Sequence, residues 1–270
     1  MDTDILDRSR PYRVKAPDGK VRLLVKDAKE GLPASFALMG TLAKHKVALR
    51  LGGGCKGMSA QDKTQMIEFF REAFRGYQGL IWSGATRQVK DGQVDPMVTD
   101  VPGIIAQDNP GCIALGTLPR TSMLSLREDS RFVLDDYGTV VNPDTYGVLI
   151  VQNGADGASG WDGDVNDYFA LMQSWRDHAG FSALGVCAWN GGDITKQEII
   201  RSANLGWPTY LVRGSGRACD EIIGAIESGK ADTISGLKDI KTLVIVSKYS
   251  PADLRNQLMM SGFFPQVLAS

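Results

Sequence analysis

The chain has 270 residues, 43% of them hydrophobic and 23% charged, an ordinary globular balance that builds a large core without staples. A formal net charge of −1 gives no general attraction to nucleic acid or to an anionic membrane, so any anion site must be local, made of backbone amides and one or two arginines. The charged N-terminus MDTDILDRSRPYRVK lacks the apolar core of a signal peptide, and no apolar run reaches about 18 residues, so no membrane span is expected and a cytoplasmic location is the default.

The first 20 or so residues are polar, with Pro11, Pro17 and an Asp18-Gly19 turn, and read as a flexible N-terminal arm before a single domain over 21–270. VALRL (Val47 to Leu51) reads as a strand, followed by a glycine cluster and a helical segment with Met66, Ile67, Phe70, Ala73 and Phe74 on one face. GLIWSG (Gly79 to Gly84) is a second strand. From about Ala85 to Asp144 five prolines break the rhythm, and the stretch reads as an insertion carrying short strands CIAL and RFVLDD. YGVLIVQNG (Tyr146 to Gly154) is a further strand, opening into a glycine- and aspartate-rich loop and a helix with Val165, Tyr168, Phe169, Met172 and Trp175 as its apolar stripe. SALGVCAWNGG and PTYLVRGSG each lead into a helix, and TLVIVS precedes a last helix from about Pro251 to Met260. Near-continuous apolar strands alternating with helices predict an α/β fold: a doubly wound, mostly parallel, Rossmann-like sheet with helices on both faces.

Three strand-to-helix turns carry the candidate chemistry. In LGGGCKGMS, Gly52, Gly54 and Gly57 satisfy GxGxxG, with Gly53 between them. Side chains there would keep the backbone from a phosphate drawn to the helix N-terminus. The acidic residue that binds ribose in dinucleotide enzymes should end the next strand, which here ends in Ser83-Gly84; an ordinary NAD dehydrogenase is therefore disfavoured. Lys56 precedes Gly57, so the turn is no Walker A, and a tight turn with no ligand stands as the plain alternative. In the second turn, WNGGDITKQE, Asp193 or Thr195 can cap the helix, and Thr195 with Glu198 has capping-box spacing. That leaves Gly191 and Gly192 as open backbone at the end of a strand. In the third, VRGSGRACDE, Gly214 and Gly216 flank Ser215, a plausible cap, and Arg217 falls in the first helical turn. A cation there opposes the helix dipole, which suggests that it answers an anion; an arginine simply in solvent is the alternative. Asp220 and Glu221 suit the dipole and read as structural. Asn153 and Gly154 open a loop long enough to act as a lid.

Trp82, Trp161, Trp189 and Trp207 lie near these turns, where core packing is the commoner use and base stacking the alternative. Cys55, Cys112, Cys187 and Cys219 are scattered, with no CxxC pair and only two histidines, His45 and His178, in the chain. Neither a metal site nor a Ser-His-Asp or Cys-His arrangement is expected.

At these residues the chain resembles the SLOG superfamily, and most closely its TRPM-channel (LSDAT) branch of prokaryotic type, over roughly Ala48 to Ile223. VALRLGGGCKGMS, RFVLDDYGTVV, GVCAWNGGDITKQEI and PTYLVRGSGRACDEI carry the likeness. The resemblance implies a Rossmann-like fold and a nucleotide-derived ligand, such as ADP-ribose, a cyclic ADP-ribose isomer or a related NAD product, sensed in antiviral defence, with no other cofactor required. The superfamily's LOG phosphoribohydrolases carry PGGxGTxxE. Here Asn190 replaces the proline and Ile194 the glycine before Thr195, while Glu198 stands at the catalytic carboxylate. The leading expectation is a ligand-sensing module acting through homo-oligomer assembly or a separate effector chain. A nucleotide N-glycosidase using Glu198 and a non-catalytic assembly scaffold are the alternatives.

Overall fold

The computed structural model describes residues 12–15, 21–25, 45–90, 93–119, 125–126, 132–133, 139–141, 148–152 and 161–264. Alternation along the strands sets the two faces. In β3 (Val47–Gly54), Leu49 and Leu51 enter one core layer while Ala48 enters the other, as a period of two requires. β3 is followed by α1 (Ala60–Ala73), β4 (Leu80–Ser83), α2 (Val101–Asp108), β7 (Ile113–Pro119) and β11 (Val148–Gln152). Then come α3 (Trp161–Ala179), β12 (Ala183–Asn190), α4 (Asp193–Asn204), β13 (Thr209–Arg213), α5 (Arg217–Glu227), β14 (Leu243–Ser247) and α6 (Pro251–Met260).

With β1 (Tyr12–Lys15) and β2 (Val21–Val25), these strands make a nine-stranded sheet in the order β1-β2-β11-β7-β4-β3-β12-β13-β14. Every pairing is parallel except β1 with β2. This is the doubly wound, Rossmann-like α/β architecture that the strand–glycine–helix rhythm predicts. From β3 the chain steps outward through β4, β7 and β11, then returns to place β12 on the opposite side of β3 and continues to β13 and β14. The direction of winding therefore reverses between β3 and β12, and the carboxyl ends of those two strands bound the crevice where ligands of open α/β sheets lie.

Phe69 and Phe70 of α1 pack on Trp189 with ring centroids 5.3 and 5.5 Å away on one face. Trp82 packs on Trp175 at 4.9 Å on the other. Each such buried ring contributes on the order of 1.5–3 kcal/mol. Trp82, Trp189 and Trp207 are thus core residues; Trp161 begins α3.

Two expectations change. Residues 12–15, placed in a flexible arm, form β1 and pair with β2 at the sheet edge. The stretch 85–144 is a composite. CIAL belongs to β7, inside the main sheet between β4 and β11, and α2 packs beside it. The rest supplies β5 (Thr86–Lys90), β6 (Gln93–Asp95), β8 (Ser125–Leu126), β9 (Phe132–Val133) and β10 (Thr139–Val141). These form a second, antiparallel sheet ordered β6-β5-β10-β9-β8. It starts directly beyond the carboxyl end of β4; the ion pair Lys63–Asp95 fastens it to the start of α1, and Arg87–Asp100 to the start of α2.

Candidate functional site

Register brings the three glycine turns together. Gly54 pairs with Asn190 across β3 and β12, and Ala188 of β12 pairs with Leu211 of β13. The turns after β3, β12 and β13 are therefore consecutive along one rim of the sheet, as parallel strands with similar turns demand. They differ in what already fills them.

The first turn is largely closed. β3 continues through the glycine cluster to Gly54, so the turn proper spans Cys55 to Met58, closed by the Met58 N–H donating to the Cys55 carbonyl at 3.1 Å. Gly52, expected to admit a phosphate, is buried, and a β-carbon there would meet Glu198 Oε2 at 2.3 Å. Gly53 faces the Trp189 carbonyl and Val98, which would stand 2.4 and 2.9 Å from its β-carbon. Packing requires both glycines. Gly57 is open and has a φ of 83°, the left-handed conformation that glycine adopts at least cost. At the start of α1, Ser59 and Asp62 form a reciprocal capping box. Gly84 is buried at the end of β4, followed by Ala85.

Beneath the reversal point lies a charged cluster that periodicity does not predict. Arg50, on the same face of β3 as Gly52, is 4% exposed and Glu198 is 2% exposed; Arg50 Nε donates to Glu198 Oε1 at 2.6 Å. The Tyr168 hydroxyl donates to the same oxygen at 2.5 Å, and the Arg50 guanidinium carbon stacks 3.6 Å from the Tyr168 ring centroid. Thr117 Oγ1 accepts from both Arg50 and the Trp82 indole at 3.3 Å. Glu198 is therefore held beneath β3, and it makes no capping box. α4 begins at Asp193 with Gly192 as its N-cap, which puts Thr195 and Glu198 inside the helix. One sequence signal points here: an arginine inside an apolar parallel strand must find a buried partner.

The second turn is the open one. The first amides of α4, like those of any helix, have no intrahelical acceptor, and Gly192 supplies no side chain to cap them. Gly191, with a φ of 87°, is glycine because Thr195 lies 2.4 Å from where its β-carbon would be. Thr195, one of the expected ligand contacts, is thereby buried under the turn. Asp193 stands exposed at the first helical position. Over Gly192 lies Arg217, whose Nη2 would be 3.0 Å from a β-carbon there. Arg217 is exposed and has no hydrogen-bond or ion-pair partner among the described residues.

The third turn is filled from within. The N–H groups of Gly214 and Gly216 donate to the two carboxylate oxygens of Asp220 at 2.7 and 2.9 Å, which occupies the amide concavity that a phosphate would use. Ser215, expected as a cap, instead ties the second turn to the third. Its hydroxyl accepts from the Asn190 N–H at 2.8 Å and donates to the Val212 carbonyl at 2.6 Å. Asn153 and Gly154 lie outside the described residues.

Backbone strain concentrates along this rim. Among the described residues, the non-glycine residues with positive φ are Ala85 at 49° and Asn190 at 56°, at or just beyond strand ends, and Arg217 at 42°, the first residue of α5. Left-handed geometry costs an L-residue about 1–2 kcal/mol, and sites of this kind cluster where function requires them. Asn190 is 2% exposed; its Nδ2 donates to the Lys56 carbonyl at 3.3 Å, while its Oδ1 has no partner among the described residues. That oxygen faces the α-carbon of Gly216, between the second and third turns.

The cysteines are poor nucleophiles. Burial pushes Cys55 up to about 11 and Cys219 up to about 12, so both are thiols at neutral pH. Among the described residues no cluster of His, Cys, Asp and Glu could hold a metal, and no helix is long and apolar enough to cross a membrane.

No family model and no curated protein sequence matches the chain. Among solved structures it is similar to the structural-genomics protein TM1055, at 17% identity and a TM-score of 0.48, over 80% of this chain and 99% of that one. It is similar to the molybdenum cofactor carrier protein of Chlamydomonas reinhardtii at 15% identity and a TM-score of 0.46, over 80% of this chain and 99% of that one. The molybdenum cofactor binding protein of Rippkaea orientalis follows at 14% identity and a TM-score of 0.45, over 80% and 98% of the two chains.

Proposed function

We propose that the chain is a binding module for a small, phosphate-bearing molecule of the nucleotide family, of which ADP-ribose and its cyclic isomers are the type. The phosphate sits at the start of α4, facing Arg217. The observation that carries this reading is Arg217. It is a cation without a partner among the described residues, held in a strained backbone conformation over the uncapped N-terminus of a neighbouring helix. Helix dipole, free amides and guanidinium fork all favour an anion at that point. A screen of thermal stability against AMP, ADP-ribose, cyclic ADP-ribose and inorganic phosphate tests it. Ligand at a hundred times its dissociation constant raises stability by roughly 2.7 kcal/mol. No stabilisation by any of the four would sink the proposal. Regulation by assembly follows if binding changes the molar mass seen by light scattering; an unchanged mass removes that part.

Binding without turnover is the preferred form. Glu198, the carboxylate that a nucleotide N-glycosidase would use, is 2% exposed and engaged by Arg50 and Tyr168. Overnight incubation with AMP should release no adenine by chromatography; release that vanishes in Glu198→Gln would instead establish the enzyme.

A further inference from the structure

Beside the crevice is a second recess, an open hollow of about 570 Å³ between the start of α1 and the turn after β14. Gln61, Asp62, Gln65, Glu68, Lys248 and Tyr249 stand in its lining. Its walls continue those of the crevice. α1 is the helix that the first turn opens, and the Lys248 N–H donates to the Arg213 carbonyl at 3.0 Å. The Lys248 stem also passes the third turn, with Cδ 3.4 Å from where a β-carbon on Gly214 would be. Along the rim, β12 and β14 lie two strand spacings apart, about 10 Å.

The lining selects a ligand class. Tyr249 is 74% exposed, a large ring left in water at the lip of the recess. Lys248 is paired with Asp62, its Nζ 3.6 Å from Asp62 Oδ1 and 5.3 Å from the Tyr249 ring centroid. The carboxylates of Asp62 and Glu68 disfavour a second phosphate here. What remains is an aromatic face, side-chain amides and carboxylate acceptors. That combination suits a flat, neutral group bearing N–H and O–H donors.

We propose that this recess is a nucleobase and ribose subsite, in which Tyr249 stacks on the base of a ligand whose phosphate lies at Arg217. The subsite rests on the phosphate reading above, and the probes separate the two. Calorimetric titrations use AMP, adenosine and ribose 5-phosphate with the wild-type chain and with Tyr249→Ala, Tyr249→Phe and Arg217→Ala. AMP should bind more tightly than ribose 5-phosphate. Tyr249→Ala should weaken AMP and adenosine about five- to a hundredfold, the range of one base–aromatic stack, and leave ribose 5-phosphate unchanged. Tyr249→Phe should bind like the wild type. Arg217→Ala should weaken AMP and ribose 5-phosphate and spare adenosine. If Tyr249→Ala binds AMP and adenosine as the wild type does, or AMP binds no better than ribose 5-phosphate, the subsite is overturned. If Arg217→Ala leaves ribose 5-phosphate unchanged while Tyr249→Ala still weakens adenosine, the subsite stands and the phosphate position fails.

Discussion

The second and third turns look alike in sequence, each a strand, a pair of glycines and a helix, yet only one of them is open. At the start of α5 the amides of Gly214 and Gly216 are satisfied by Asp220, and at the start of α1 Asp62 and Ser59 do the same work. At the start of α4 no side chain caps the helix, and a cation from the next turn stands over it. A glycine turn is thus only a permission for close approach. Whether a ligand or the protein's own carboxylate makes that approach is decided by residues outside the motif.

The deepest difference between the two turns lies one turn further into each helix. The sixth residue of α4 is Glu198 and that of α5 is Ile222, both buried. Glu198→Ala breaks the buried Arg50–Glu198 pair and should cost about 3–5 kcal/mol in denaturant unfolding. Ile222→Ala should cost a comparable 2–5 kcal/mol by leaving a cavity. A double change, Arg50→Met with Glu198→Leu, should recover most of the loss from Glu198→Ala, because the cost lies in breaking the pair. If Glu198→Ala is nearly neutral, the buried pair is not what anchors α4.

Capping should show the next largest effect. Asp220→Ala frees two amides and should lower stability by about 0.5–2 kcal/mol, as loss of a helix cap does. It should also create at the third turn the anion affinity proposed for the second, read as new phosphate-dependent stabilisation. An Asp220→Ala chain with unchanged stability would make the contrast between the turns empty.

Arg217 comes next. Its side chain has no hydrogen-bond or ion-pair partner among the described residues, so Arg217→Ala should change stability by less than about 0.5 kcal/mol. Arg217→Gly should be more stable than Arg217→Ala by roughly 1 kcal/mol, since glycine relieves the left-handed strain. Both should lose phosphate binding. A large fall in melting temperature in either would make the arginine structural.

The smallest effect is at Asp62. Hydrogen bonds from the Ser59 hydroxyl and amide hold its carboxyl below the ordinary 3.8. The folded value is depressed, so its contribution is complete above that pH and is lost as the pH falls through the folded value. The stabilities of the wild-type and Asp62→Asn chains should differ near neutrality and converge in acid. A gap that persists unchanged in acid would show that the carboxylate charge is not what matters.

Much of the fold was legible because each parallel strand announces itself by an apolar run and each turn by glycine. β7 was harder to see: its residues sit in a proline-rich stretch, and membership of the main sheet depends on pairing with β4 and β11, which local pattern does not encode. The candidate site was legible as a set of turns and no further. The occupants of Gly52 and Gly53, Glu198 and Val98, come from distant parts of the chain. Arg50 was visible only as a charge out of place, and the strain at Asn190 depends on backbone geometry that its residue type permits without requiring.

The most direct test of the account is amide chemical shifts in the ¹⁵N-labelled chain titrated with ribose 5-phosphate. The amides of Gly192, Asp193 and Ile194 should move and saturate together, while those of Gly214 and Gly216 stay in place against Asp220. Movement of Gly214 and Gly216 with Gly192 and Ile194 unchanged would put the anion at the third turn and contradict the account.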